Sequence, residues 1–471
     1  MKTIIQGGTI VNEGKAFVGD IVIDGEKIVQ TLPQPLPVGM GDNTSIGNKD
    51  NDYKGMQGNY SPLLQGGDGG GSFIDATGCY VLPGVIDEHV HFREPGLTDK
   101  ADIESETRAA AAGGVTTFFD MPNTVPQTTT LEALEQKFEL ASQKSHVNYS
   151  FFFGATNDNT ALFPQLDTHR IPGIKLFMGS STGNMLVDRD EALERIFSET
   201  PLPLMTHCED TALIDENMRY FQERYGDDPP VWAHQLIRSE EACMASTMKA
   251  IELAVRYQTR LHIAHISTAA ELEMIPANCL HVITAEATVG HLWFSTVDYQ
   301  RLGTRIKVNP AIKSVIDQEA LRQGLMDGRI STIGTDHAPH LLAQKEGGCA
   351  RAASGMPSIQ FALPAMLSLV DEGVVTIERL VELMAHNPAQ IFEVRNRGFL
   401  RPGYQADVTI VRPNSPWTVS RDIIESKCKW SPFEGQQFQW RIEKTLCNGH
   451  VVYDNGTVAD REKCGQAVLF R

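Results

Sequence analysis

Two histidines separated by one residue, in the segment DEHVH at 87–91, are the first side chains in this sequence that suit metal chemistry. Alternate residues of a β-strand point to one face, so His89 and His91 can share one ion. Imidazole together with carboxylate suits Zn²⁺, with Mn, Co or Fe as further possibilities. With 14 histidines in 471 residues such a pair also arises by chance, so it needs support from other residues.

That support comes from polar residues that end or interrupt later apolar, β-branched segments. They are Lys175, His207, His265, Glu286 and Asp336. If the segments are barrel strands, their carboxyl ends meet at one mouth and the side chains converge on a metal site. Either His207 or His265 alone is more typical of a buried core histidine. Their occurrence at successive strand ends favours the metal site.

Lys175 and Asp336 each allow two interpretations. Lys175 lies inside the apolar segment GIKLFMG, either on an exposed edge strand or as a buried amine of lowered pKa. A buried amine can react with CO2, and the resulting carbamate can bridge two metal ions. Asp336, in TDHAPH at 335–340, either caps the next helix or transfers a proton during metal-assisted hydrolysis.

The elements that must position these residues repeat along the middle of the chain. Between 80 and 400, eight apolar segments are each followed by a helix-like segment, which predicts an α/β fold, a (β/α)8 TIM-like barrel. Short strands within 1–35 and Asn-Gly turns within 401–471 predict a small β-sandwich domain formed from both termini. The N-terminal part, 1–79, includes a Gly- and Asn-rich segment at 36–72, predicted to be a flexible surface loop.

Composition narrows the class of protein. Lys and Arg number 41 and Asp and Glu 59, so the net charge of −18 argues against nucleic acid or anionic membrane as a partner. No stretch has the 18 or so apolar residues of a membrane span, and no signal peptide is expected at the N-terminus. Eight scattered cysteines without a CxxC motif favour a reducing, cytoplasmic location.

Four motifs, in this order, resemble the amidohydrolase superfamily, more narrowly the cyclic amidohydrolases, and within those the dihydroorotase family. They are DEHVHFREPG at 87–96, MPNT at 121–124, HIST at 265–268 and TDHAPH at 335–340. The likeness extends from GGTIVNEGKAFVGDIVIDGEKI near the N-terminus to CNGHVVYDNG near the C-terminus. Within the family many bacterial members have an aspartate where this chain has Lys175, so the lysine form is inferred from GIKLFMG.

The resemblance implies a binuclear zinc site and a mechanism. His89, His91 and Asp336 would bind one Zn²⁺, and His207 and His265 would complete the second. Carboxylated Lys175 and a hydroxide would bridge the two ions. The hydroxide would attack the amide carbon, and Asp336 would act as general acid/base by passing the proton to the leaving nitrogen.

The resemblance also implies substrate contacts. Arg93 would bind the carboxylate of dihydroorotate, since an Arg fork suits that group. The alternative for Arg93 is a structural ion pair with Glu94 or Asp87. Family likeness implies that Asn123, Asn309 and His340 also contact the substrate.

These expectations describe a cytoplasmic enzyme that interconverts L-dihydroorotate and N-carbamoyl-L-aspartate in pyrimidine (UMP) biosynthesis. Its partner is a small-molecule substrate rather than nucleic acid or membrane, and the family suggests a homodimer. One alternative is another cyclic amidohydrolase, an allantoinase or a hydantoinase. A second is a catalytically silent homologue that acts as a scaffold for a neighbouring enzyme such as a transcarbamoylase.

Overall fold

The computed structural model describes residues 2–33, 71–179, 185–459 and 463–471. The chain begins with the strands β1 Lys2–Asn12, β2 Lys15–Asp24, β3 Lys27–Pro33, β4 Ser72–Asp75 and β5 Tyr80–Pro83. Strands β1 to β3 are antiparallel neighbours, and β4 and β5 both run parallel to β1. The loop predicted at 36–72 lies outside the described residues, apart from its last two positions, where β4 begins.

The middle of the chain is a barrel of parallel strands. Its strands are β6 Val85–Val90, β7 Val115–Asp120, β8 Asn148–Phe151, β9 Phe153–Gly154, β10 Ile174–Met178, β11 Leu204–Cys208, β12 Leu261–Ile263, β13 Ile283–Thr288 and β14 Thr332–Gly334. Strands β8 and β9 occupy one position, because only Phe152 separates them. A parallel bridge between Val90 and His337 joins the first strand to the last. The predicted (β/α)8 barrel is therefore confirmed.

Helices connect the barrel strands and cover them. They are α1 Ile103–Ala112, α2 Leu131–Lys144, α3 Asp190–Glu199, α4 Thr211–Tyr225, α5 His234–Ile237, α6 Glu240–Tyr257, α7 Ala269–Glu273, α8 Val289–Trp293, α9 Tyr299–Leu302, α10 Val315–Asp327, α11 Ile359–Asp371, α12 Ile377–Val381 and α13 Asn387–Ile391. Side-chain caps begin many of them: Asp102 accepts the amide of Ser105 in α1 at 2.8 Å. No helix in the described ranges has the length and apolar content needed to cross a membrane.

The C-terminal region returns to the sheet where the chain began. Its strands are β15 Val408–Arg412, β16 Trp417–Thr418, β17 Gln437–Phe438, β18 Arg441–Cys447, β19 His450–Asp454 and β20 Thr457–Val458. The sheet order β20-β19-β18-β15-β5-β1-β2-β3 confirms that both termini build one β unit. Strand β5 pairs with both β1 and β15, and β6 of the barrel begins two residues later. The division of the chain at 79/80 and 400/401 stays a prediction.

One end of the barrel interior is filled with apolar side chains. A cluster that includes Ile86, Phe119, Phe152, Met205 and Phe392 packs there, each 0–1% exposed. Burial of such large side chains stabilises the barrel. The polar residues of the motifs are consequently left to the opposite end, where the strands terminate.

Candidate metal centre and substrate pocket

A cavity opens at the carboxyl ends of the barrel strands. Its lining comprises His89, His91, Arg93, Asn123, Phe177, His207, His265, Asn309, Asp336, Ala338, Ser354 and Gly355. Eight of the ten residues singled out in the sequence are in this lining. The other two adjoin it: Lys175 is buried among the histidines, and His340 contacts Arg93. The structure therefore brings all ten together.

Two histidines and one carboxylate form the first group of potential metal ligands. The Nε2 atoms of His89 and His91 lie 3.5 and 3.0 Å from Oδ1 of Asp336. The amide of His91 donates to the carbonyl of His337 at 2.8 Å. This contact between the first and last strands of the barrel brings the histidines close to Asp336. Burial raises the pKa of Asp336, but His89 and His91 outweigh it and hold that pKa below the ordinary value.

The second group consists of two histidines on adjacent parts of the barrel. Nδ1 of His207 faces Nε2 of His265 at 2.9 Å. Burial lowers the pKa of both imidazoles, which favours the neutral form that binds metals. Nε2 of His207 is held by Glu209 at 2.9 Å, and Glu209 is itself paired with Arg238. A carboxylate behind a histidine in this way fixes the ring that faces a metal.

Lys175 is fully buried, and its Nζ has no hydrogen-bond partner in the structure. Burial lowers the pKa of this amine to about 8, although Glu286 and Asp336 act in the opposite direction. Strand β10 is paired on both sides, with β9 and β11, so the alternative of an exposed edge strand is wrong. An isolated buried amine is costly. A carbamate on this nitrogen would remove its positive charge and present two oxygens to the site.

Outer contacts determine which nitrogen each ligand histidine presents. Glu286 Oε2 lies 2.9 Å from Nδ1 of His89, and Asn123 Oδ1 lies 2.8 Å from Nδ1 of His91. Each oxygen accepts from Nδ1–H, which leaves the Nε2 lone pair directed at Asp336. The sequence placed Glu286 at a strand end but assigned it no role. The signal was a carboxylate inside the apolar segment that forms β13.

Arg93 is a buried cation whose hydrogen-bond partners within the chain are neutral. Its Nε donates to the carbonyl of Pro339 at 3.0 Å, and its Nη2 lies 3.0 Å from Nε2 of His340. Across the described ranges, no carboxylate lies within ion-pair distance of it. Glu94 binds Lys144 and Asp87 binds Thr335, so the ion-pair alternative for Arg93 is wrong.

A loop carries Ser354 and Gly355 to the cavity wall. Nζ of the buried Lys345 donates to the carbonyls of Lys307, Ala353 and Gly355 at 3.0, 2.6 and 2.7 Å. These three bonds attach the backbone on either side of Ser354, and the backbone of Lys307, to one buried amine. Sequence reasoning missed Lys345, because it stands in a polar segment that resembles ordinary surface loop.

Similarity to known proteins places the chain in a family. The chain matches the model of the amidohydrolase family over residues 80–452. Dihydroorotase from Halobacterium salinarum is 36% identical over 393 residues, covering 82% of this chain and 90% of that protein. Dihydroorotase from Lactobacillus johnsonii is 30% identical over 465 residues, covering 97% and 100%. Among solved structures, L-hydantoinase (dihydropyrimidinase) from Arthrobacter aurescens has a TM-score of 0.86, 26% identity and 99% coverage of both chains.

Proposed function

This chain belongs to the amidohydrolase family and is a metal-dependent cyclic amidohydrolase, and on that premise we propose that it is a dihydroorotase. It would interconvert L-dihydroorotate and N-carbamoyl-L-aspartate, in the cytoplasm, as a step of pyrimidine biosynthesis. The observation that carries the proposal is Arg93. It is a buried guanidinium at the cavity wall, only 5% exposed, with no carboxylate partner among the described residues. A substrate carboxylate would supply that partner.

We propose that the site holds two Zn²⁺ ions. His89, His91 and Asp336 would bind one, His207 and His265 the other, and carboxylated Lys175 would bridge them. The unpartnered amine of Lys175 and the facing nitrogens of His207 and His265 support this assignment. When bound, the metal pair supplies Lewis acidity and lowers the pKa of a water molecule.

The side chains of the chain itself would bind the substrate and move the proton. Arg93 holds the carboxylate, with His340 beside it as a neutral imidazole, because burial and then Arg93 lower the pKa of His340 to about 2. Asn123 and Asn309 line the cavity where the amide ring would lie. Asp336, ionised before the reaction, would accept a proton while the amide carbon is attacked and would return it to the leaving nitrogen. Ring closure uses the same groups in reverse.

A second candidate function is hydantoin or dihydropyrimidine hydrolysis. It is favoured by the structural similarity to L-hydantoinase over 99% of both chains. The L-hydantoinase is 26% identical to this chain, whereas the dihydroorotase from Halobacterium salinarum is 36% identical. The substrates of the alternative lack the carboxylate that Arg93 would bind. The scaffold alternative is set aside because the chain belongs to a family of hydrolases and every predicted ligand position carries a ligand-type side chain.

The test is a comparison of initial rates on L-dihydroorotate, hydantoin and allantoin, with zinc content measured on the same sample. We expect turnover of dihydroorotate and little turnover of the two uncharged substrates, with zinc in the sample. Faster turnover of hydantoin or allantoin would refute the dihydroorotase proposal. Turnover that survives removal of all metal would refute the metal assignment.

A further inference from the structure

A second group of ligand-type side chains lies inside the barrel, outside the lining of the mouth cavity. It consists of Glu88 on β6, His262 on β12 and Glu286 on β13. The three are 0%, 1% and 0% exposed. One ligand atom from each lies within 4.8 Å of the others, as is the case for His89, His91 and Asp336.

Three polar atoms of this interior group lack partners. Neither carboxylate oxygen of Glu88 accepts a hydrogen bond of good geometry, and Nε2 of His262 is likewise unpaired. Nδ1 of His262 is occupied by the hydroxyl of Thr284 at 2.8 Å, so Nε2 is the nitrogen left for a ligand. Interiors pair nearly all buried polar atoms, so unpaired atoms on two neighbouring side chains indicate a bound species.

The charges of the group indicate that this species is a cation. Glu88 and Glu286 place two fully buried carboxyl groups beside each other, with the imidazole of His262 as the third member. Lys175 is the cation that faces Glu286, and it loses its charge if it is carboxylated as proposed above. The hydroxyl of Thr332, also near Glu88, carries no charge. A cation between the two carboxyl groups would supply the partner that the oxygens of Glu88 lack.

The donor set narrows the choice of cation. One imidazole nitrogen with carboxylate oxygens suits Zn²⁺ and related divalent transition ions rather than Ca²⁺ or Mg²⁺. Zinc bonds of about 2.0–2.2 Å place ligand atoms no more than about 4.4 Å apart. A contraction of a few tenths of an ångström therefore brings the three side chains into range.

We propose that Glu88, His262 and Glu286 bind a further divalent ion of the zinc type inside the barrel. Glu286 would link this ion to the mouth, because its carboxylate also accepts Nδ1–H of His89. The ion would thus hold the carboxylate that orients a ligand of the proposed mouth site. Of the arguments for it, only the neutralisation of Lys175 rests on the proposed function.

The test is to count and locate metal ions in the full chain, loaded with Zn²⁺ and freed of excess. We expect three zinc ions per chain in the wild type by elemental analysis, and two in Glu88→Gln and in His262→Gln. Thr117→Val is the matched control, since Thr117 is a barrel residue with a buried, unpaired hydroxyl outside the group, and it should retain three. Anomalous diffraction at the zinc edge should give a peak between Glu88 and His262.

The outcomes separate this proposal from the previous one. A wild-type anomalous map with peaks at the mouth alone would overturn the interior site and leave the dihydroorotase proposal intact. A peak at the interior group alone would support the interior site and refute the binuclear mouth. Equal zinc content in wild type and Glu88→Gln would also overturn the interior site. If Glu88→Gln fails to fold, the wild-type map decides alone.

Discussion

Replacing Arg93 by methionine removes the guanidinium from the cavity wall while keeping a side chain of similar length. Arg93 has only 5% of its surface exposed, and it contacts the carbonyl of Pro339 and the ring of His340. Its hydrogen bonds go to neither His89, His91 nor Asp336, and it acts on Asp336 through charge alone. We therefore expect Arg93→Met to bind metal like the wild type and to bind dihydroorotate poorly.

The size of the loss in activity follows from the burial of the ion pair that Arg93 would form with the substrate carboxylate. Removing one partner of a buried, hydrogen-bonded charge pair costs about 2–5 kcal/mol. At about 1.4 kcal/mol per factor of ten, kcat/KM for dihydroorotate should fall by about 30- to 4,000-fold. The carbonyl of Pro339 also loses its donor, so the free energy of unfolding should fall by about 1–3 kcal/mol.

The assay measures kcat/KM for dihydroorotate and for hydantoin on Arg93→Met, with zinc content and the urea unfolding midpoint. The residual rate on hydantoin, which has no carboxylate, should change by less than about threefold, because a lost charge pair affects only a charged substrate. Arg195→Met is the matched control. Its guanidinium is on the surface, paired with Glu199, and 56% exposed. An equal loss on both substrates, or loss of zinc, would refute the role given to Arg93.

Three further predictions concern the proton carrier, the loop and the buried hydrogen bond between His337 and Glu106. Asp336→Asn should lower kcat by about 10²- to 10⁴-fold, and full turnover in steady-state assays would contradict its role in proton transfer. Lys345→Met should lower the free energy of unfolding in urea by about 2–4 kcal/mol, because three carbonyls lose their donor, and a loss below about 1 kcal/mol would contradict the loop contacts. Burial raises the pKa of Glu106, but the hydrogen bond from His337 outweighs burial, so the pKa is lower than usual. Glu106 therefore stabilises the fold at pH values above its unfolded pKa. This stabilisation is lost as the pH falls through the pKa of the folded state. Glu106→Gln should accordingly weaken the pH dependence of the thermal midpoint between pH 5 and pH 3, about one unit either side of an ordinary Glu pKa. An unchanged dependence of the midpoint on pH would show that the contact between Glu106 and His337 contributes nothing.

Much of the site was accessible from sequence because strand geometry is local. Alternation along a strand places His89 and His91 on one face, and parallel strands bring His207 and His265 to the same end of the barrel. The apolar segments are long and β-branched because barrel strands are covered on both faces, so the eight strands could be predicted. The C-terminal strands could be predicted too, from their Asn-Gly turns.

Other features depend on contacts between residues far apart in sequence. Glu94 is adjacent to Arg93 and could have neutralised it, yet Glu94 turns to Lys144, 50 residues away. That distant pairing leaves Arg93 without an anion. The burial of Lys175 likewise depends on β9 and β11, which pair on either side of its strand. No local pattern contains this information.

The sequence by itself determined the barrel, the β unit made from both termini and the residues able to bind metal, because strand periodicity and the order of βα units are properties of the local chain. Only the tertiary structure decided how the interior polar groups meet. Strict alternation would point Glu88 away from the face of His89. The register shift between Asp87 and Val90 breaks that alternation, and both Glu88 and His89 approach Glu286 on a strand almost 200 residues away. A bulge is set by how two strands pair, so its effect on Glu88 emerges only once the barrel has closed.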